Sequence, residues 1–361
     1  MKTKVRLLIA VLIMGMVTGC ASIGPGTVSR DRFDYVSSIS ESWKQQILLN
    51  IVKTRYLEPV SFVDVGQIVA GYTLESGVNL GASDGKLNSF VASSYSASVS
   101  GKYTDRPTIT FTPITGNTFI KTLMTPLHPS RLMFAIQSGV PADLIFKLGV
   151  SSINGLRNEQ VYIGNYVPVE SKFVRVIELV NELQKSGAIS VKIVKHNDSQ
   201  ETPVLTFLLK EGDSVVSGQV RDLCELLGLD QSVRQYRIVY GIAPENNREV
   251  AMQTASVMRI MTFMAARVDI PDHDIAEKRA TPGLREAIGS PGNDKRFVIK
   301  SSGWDWEPKD AYAAVKYRNR WFWIDDRDLL SKRALSFLVL VFTLADTGND
   351  KSLPLITIPA Q

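Results

Sequence analysis

From residue 68 the even positions read Ile68, Ala70, Tyr72, Leu74, Ser76, Val78, Leu80 and Ala82, and the odd positions between them Val69, Gly71, Thr73, Glu75, Gly77, Asn79 and Gly81. Beyond Asp84-Gly85 the phase inverts: Leu87, Val91, Tyr95, Ala97, Val99 and Tyr103 are odd, while Ser94, Ser96, Ser98, Ser100 and Lys102 are even. A period of two marks strands with one apolar and one small, polar face. Asp-Gly favours the two-residue type I′ turn, so the pattern predicts one long antiparallel hairpin over about 66–103, reversing at 84–85. That register sets Ala82 against Leu87, Val78 against Val91, Leu74 against Tyr95 and Ala70 against Val99. Arms of about 15 residues exceed the ~5–6 of an ordinary strand and the ~9–11 that cross a bilayer. Two readings stay open. One is a membrane hairpin with Ile68, Ala70, Tyr72, Leu74, Val78, Leu80, Val91, Tyr95, Ala97, Val99 and Tyr103 facing lipid, the tyrosines forming an interfacial girdle. The other is a hairpin of a water-soluble sheet whose apolar face is covered by helices. The membrane version requires a closed oligomer, because a lone hairpin leaves both edges unsatisfied in lipid.

Elsewhere the period changes to that of a helix. Ile39, Trp43, Ile47, Leu48, Ile51 and Val52 predict a helix capped by Ser40 and stopped before Pro59. Further helices are expected over 117–125, 129–137 and 141–153, punctuated by Pro126, Pro129 and Pro141, then over 171–187, 218–227, 252–267 and 326–344, the last capped by Asp325 or Asp326. Strands are expected over 108–112, 190–195, 203–209, 235–240, 297–300, 311–317, 321–324 and 355–358. The interleaving predicts an α+β fold of mixed helices and mostly antiparallel sheets. A boundary near 165 would divide it into an N-terminal domain, 31–165, and a C-terminal domain, 166–361.

The first residues alter this picture. Lys2, Lys4 and Arg6 precede an apolar run over 7–17, too short to span a bilayer and flanked like a secretory signal. It ends Val17-Thr18-Gly19-Cys20-Ala21, the pattern of a lipobox. Cleavage after Gly19 would make Cys20 the first residue, carrying diacylglycerol and an acyl chain, so that membrane lipid is the first expected partner. Ala21 lacks the Asp that retains such proteins at the inner membrane, which favours the outer membrane, with the body facing the periplasm. Residues 20–30, with Gly24-Pro25-Gly26, read as a short tether.

Composition then narrows the function. The formal charge of +5 includes the three cations of the signal; removing them leaves 38 basic against 36 acidic side chains, which does not point to nucleic acid. Cys224, the one cysteine besides Cys20, lies in an apolar helical pattern and reads as a buried thiol. The three histidines, His128, His196 and His273, form no metal-ligand spacing, and no catalytic or nucleotide motif occurs. No catalytic residue, metal or cofactor is therefore assigned. Four of five tryptophans fall in Trp304-Asp305-Trp306 and Trp321-Phe322-Trp323, near Glu307, Asp325 and Asp326. They read as core or interface aromatics, as a glycan platform, or as part of a glycan hydrolase.

Arg30-Asp31-Arg32-Phe33-Asp34-Tyr35, Ser42-Trp43-Lys44, Arg106-Pro107-Thr108-Ile109-Thr110, Ser152-Ile153-Asn154-Gly155 and Trp323-Ile324-Asp325-Asp326-Arg327-Asp328 resemble stretches of an uncharacterised group of proteobacterial envelope lipoproteins. The resemblance implies an envelope lipoprotein and carries over no activity or site residue. The expectation is a non-enzymatic outer-membrane lipoprotein that acts through envelope protein partners or self-association, its hairpins forming a barrel or export channel. A soluble-bodied periplasmic scaffold or binding lipoprotein and a cell-wall glycan-binding protein or hydrolase are the alternatives.

Overall fold

A computed structural model of the chain describes residues 23–69, 71–87, 90–162, 165–196, 200–284, 297–303 and 306–345. The fold is α+β, with mixed, mostly antiparallel sheets and, among the described residues, no closed barrel. It divides into two compact units, Met1–Ser40 with Val63–Pro113 and Glu41–Phe62 with Ile114–Gln361. The signal segment, Gly19, Cys20, Ala70, Trp304 and the strand expected over 355–358 lie outside the described residues.

Helix α1, Ile23–Arg55, runs for 33 residues. It replaces the expected tether from residue 23 onward and begins well before Ser40. Pro25 sits in its first turn, where a missing N–H breaks no helical bond. Only the second half carries the apolar stripe that reveals a helix in sequence. Ile47, Leu48, Ile51 and Val52 are wholly buried, whereas Val28, Phe33 and Val36 are exposed.

The first unit is built on a ribbon. Strand β1 (Phe62–Val69) pairs with β4 (Thr108–Ile114), and β2 (Tyr72–Leu87) with β3 (Phe90–Asp105). The hairpin forms, but in a different register from the one the turn signal predicts. Leu74 pairs with Tyr103 instead of Tyr95, Val78 with Val99, Leu80 with Ala97, Ala82 with Tyr95, and Leu87 with Phe90. The reversal thus falls between Leu87 and Phe90, not at Asp84-Gly85, and every partner moves by eight positions. Because eight is even, residues that stay on their own arm keep their face, whereas Lys86 and Leu87, now at the end of β2, change sides. Four apolar matches fall at Leu74–Tyr103, Val78–Val99, Leu80–Ala97 and Ala82–Tyr95, and Glu75 meets Lys102 across the other face at 3.9 Å. Gly77 and Gly81 face Ser100 and Ser96, where an added Cβ would stand only 2.9 and 2.7 Å from the serine hydroxyls. The Arg106 N–H donates to the Gly71 carbonyl at 2.9 Å and carries the ladder across the join towards β1 and β4. Pro107, which has no N–H to give, stands at the gap between β3 and β4.

The second unit holds the large core. Six strands order as β6-β5-β12-β11-β10-β9: Leu156–Arg157, Val150–Ile153, Glu249–Thr254, Gln235–Tyr240, Gln200–Phe207 and Ile189–His196. Only β11 and β12 are parallel. The boundary expected near 165 falls inside this unit, since β5 and β6 precede it and share a sheet with strands that follow. A two-stranded hairpin, β7 (Gln160–Tyr162) with β8 (Asn165–Val167), occupies that position. The second sheet is β13-β15-β14: Lys300–Ser302, Arg320–Asp325 and Ala311–Tyr317. Around the sheets lie α2 (Gly116–Phe119), extended by a π turn over Ile120–Met124, α3 (Pro129–Gln137), α4 (Ala142–Gly149), α5 (Ser171–Lys185), α6 (Ser214–Leu227), α7 (Val257–Ala265), α8 (Asp272–Ala276) and α9 (Leu329–Ala345).

Two expected helices absorb strands. The helix predicted over 141–153 ends at Gly149 and its last four residues are β5; that predicted over 252–267 begins only at Val257, after β12. Every residue of β5 is buried, and nearly every residue of β12. A strand buried on both faces shows no alternation and reads like a helix. Ser256 then caps α7, its hydroxyl accepting from the Arg259 N–H at 3.2 Å. The cap of α9 is Asp328, which accepts from the Ser331 N–H at 3.1 Å, not Asp325 or Asp326.

Glu249, on β12, is 1% exposed, pairs with Arg237 and accepts the Glu245 N–H at 3.0 Å. The Arg237 guanidinium, and after it that backbone donor, hold its carboxyl below the ordinary range. A lowered native value contributes stability above the unfolded value of about 4.3, lost as the pH falls through the native one. Glu249→Gln is therefore expected to flatten the acid limb of the urea midpoint plotted against pH. An acid limb identical to that of the parent protein would contradict this.

Candidate functional site

Three places gather the residues singled out by the sequence. The first is the ribbon. β2 and β3 are 16 residues each and form a two-stranded sheet, so both outer edges run unpaired among the described residues. Such edges are templates for pairing with another chain, and a two-stranded ribbon is marginal alone in water. The register places Leu74, Val78, Leu80, Tyr95, Ala97, Val99 and Tyr103 on one face, with Val91 opposite Lys86 nearer the reversal. On the other, Thr73, Glu75, Asn79, Ser96, Ser98, Ser100 and Lys102 are exposed. Past Pro107, on β4, Ile109 and Phe111 are 40% and 63% exposed. Ile68, on β1, is half-buried. Tyr72 and Tyr103 stack with centroids 6.2 Å apart at one end of the ribbon, and the Tyr72 hydroxyl donates to Asp31 of α1.

The second place is a groove of about 720 Å³ on the outer side of β13 and β15, lined by Lys300, Trp306, Pro308, Lys309, Asp310, Trp323 and Asp325. Strand parity puts Phe322 and Ile324 wholly in the core and leaves Trp321, Trp323 and Asp325 on the opposite face, half-buried. Trp323 joins Trp306 in the lining, whereas Trp321 stands outside it. Asp325 accepts from Lys300 Nζ at 2.9 Å and from the Arg327 N–H at 3.0 Å, and these donors, the backbone one first, keep its carboxyl below the usual range. Asp310 pairs with Arg327. A lowered carboxyl is the opposite of the raised one a glycosidase acid needs, so Asp325 does not fit that role.

The third place, which no sequence motif marks, is a cavity of about 420 Å³ walled by Leu148, Val174, Ile177, Phe263, Phe297 and Ala334. Its polar lining includes Asp143, Lys147, Glu178 and Asn181 as well as Asn158, Glu159 and Arg267. The Asn158 amide donates to the carbonyls of Phe146, Lys147 and Val150 at 3.1, 3.0 and 2.7 Å, taking up groups that the end of α4 leaves without helical partners. Arg267 grips both oxygens of Glu159 at 2.7 Å and lies 3.8 Å from the Phe263 ring centroid. The Arg267–Glu159 pair neutralises itself, and with Asp143, Lys147 and Glu178 also in the wall the cavity offers no net cation.

The remaining candidates are held in structural bonds. His128 caps α3 by accepting from the Ser130 N–H at 3.3 Å. His273 lies 2.9 Å from Asp274, whose other oxygen accepts from the Tyr56 hydroxyl at 2.7 Å. His196 ends β9, paired with Gln200. Cys224 is buried, and burial raises its thiol pKa, which suppresses reactivity. Among the described residues no group of His, Cys, Asp or Glu can hold a metal, and no helix is long and apolar enough to cross a membrane. No family model, curated protein or solved structure matches the chain.

Proposed function

We propose that the protein is a lipoprotein anchored through Cys20 in the outer membrane, facing the periplasm, with a non-enzymatic structural or assembly role. In this reading the β2–β3 ribbons of several copies pair edge to edge and close into a membrane barrel or export channel. The observation that carries it is the ribbon itself: two 16-residue strands, mostly apolar pairs from Leu74–Tyr103 to Ala82–Tyr95 on one side, small polar residues opposite them on the other, and no partner on either outer edge among the described residues. At ~3.3 Å per residue each strand extends ~50 Å, and tilted by ~45° it rises ~35 Å, more than the ~30 Å hydrocarbon core. Closure satisfies every edge group in lipid, and Glu75, Lys102, Ser and Gly residues would line the lumen. The exposed Ile109 and Phe111 on β4 also favour contact with something other than water.

The test is native mass spectrometry of the lipidated protein extracted from membranes. One closed ring of fixed copy number is expected. A monomer that becomes monodisperse without detergent once Cys20 is replaced would overturn the barrel and leave the soluble-bodied scaffold.

A further inference from the structure

We propose that the groove lined by Trp306 and Trp323 is a binding site for a saccharide chain of no net charge. The site is independent of the ribbon and lies wholly within the second unit. Its aromatic surface is there by construction: the alternation of β15 sends Phe322 and Ile324 into the core and Trp323 outward. The cross-strand neighbours of Trp323 are Lys300 on one side and Ala314 on the other, and the indole itself is half-buried in the groove wall. Trp306, 55% exposed, lines the same groove, so two indoles border one open surface.

Charge then selects the ligand. The lining holds Lys300 and Lys309 against Asp310 and Asp325, which sum to zero. Asp325 is bound to Lys300 and Asp310 to Arg327, so a phosphate-rich or acidic chain meets no net attraction. What remains is flat aromatic surface bordered by ion pairs that still have lone pairs and N–H groups to share. A pyranose matches this: its C–H face lies on an indole and its hydroxyls donate and accept at the rim. A volume of about 720 Å³ suits several such rings in a row rather than one enclosed sugar. Because both carboxylates are tied to cations, the groove binds without cleaving.

The experiment titrates the full chain with two uncharged probes, the β-1,4-linked tetramer of N-acetylglucosamine and the α-1,4-linked tetramer of glucose, by calorimetry and indole fluorescence. Saturable binding of at least one is expected, and Trp306→Ala and Trp323→Ala should each weaken it about tenfold, the loss of one stacking contact. Trp306 is exposed, so its substitution leaves the core intact and separates lost binding from lost folding. Failure of both tetramers to bind below about 10 mM, or binding undiminished in the Trp306→Ala protein, would overturn the proposal.

Discussion

Arg267→Met is expected to destabilise the second unit by about 3–5 kcal/mol, the cost of leaving one partner of a buried ion pair uncompensated. The Arg267 side chain is 5% exposed and that of Glu159 16%. Besides both carboxylate oxygens, the guanidinium donates to the Phe263 carbonyl at 2.8 Å and sits 5.2 Å from the Phe297 centroid. Without it the Glu159 carboxylate faces apolar walls. Arg267→Met combined with Glu159→Leu removes both charges and should recover most of the loss, since a matched apolar pair serves a buried site nearly as well as a matched ionic one. Urea unfolding followed by tryptophan fluorescence isolates this unit, because Trp43, Trp304, Trp306, Trp321 and Trp323 all belong to it. A single variant as stable as the double one would show that the pair carries no such burden.

The second large effect lies in the ribbon. Val78 and Val99 are directly paired near the middle of β2 and β3. Val78→Arg and Val99→Arg each place a cation on the apolar face, at a cost of about 2–4 kcal/mol at the bilayer midplane. Repeated in every copy of the proposed barrel, the double substitution should abolish the ring expected after membrane extraction. Asn79→Arg, one residue along and on the polar face, should leave the ring intact. Equal effects at positions 78 and 79 would mean that the two faces do not see different solvents.

The difference between what the chain discloses and what it conceals follows from where each element's partners lie. The hairpin was legible because alternation is local, and α3 because Pro129 and the apolar run behind it mark it. The register was not legible: Asp84-Gly85 is a strong local turn signal, whereas the observed pairs, such as Leu74–Tyr103 and Glu75–Lys102, lie far apart in the chain. β5 and β12 were hidden because burial on both faces erases periodicity, and the first half of α1 because its exposed surface carries no stripe. At the groove, sequence supplied Trp323 and Trp306 but paired Trp323 with Trp321, since neighbours on a strand are visible and a loop crossing from another part of the chain is not. The cavity beneath Arg267 had no signal at all, as Glu159 and Arg267 are 108 residues apart.

The eight-position slip has a consequence for assembly. A ribbon whose middle repeats one two-residue alternation admits several even slips that leave the residues of each arm on their own side. In a ring of such ribbons, the stagger between neighbours is the shear, and shear together with strand number sets tilt and bore. Facial pattern alone therefore leaves the bore undetermined. One sequence is compatible with rings of more than one calibre, and discrete pairs such as Glu75 with Lys102, or the segments that carry the ribbon, must choose among them.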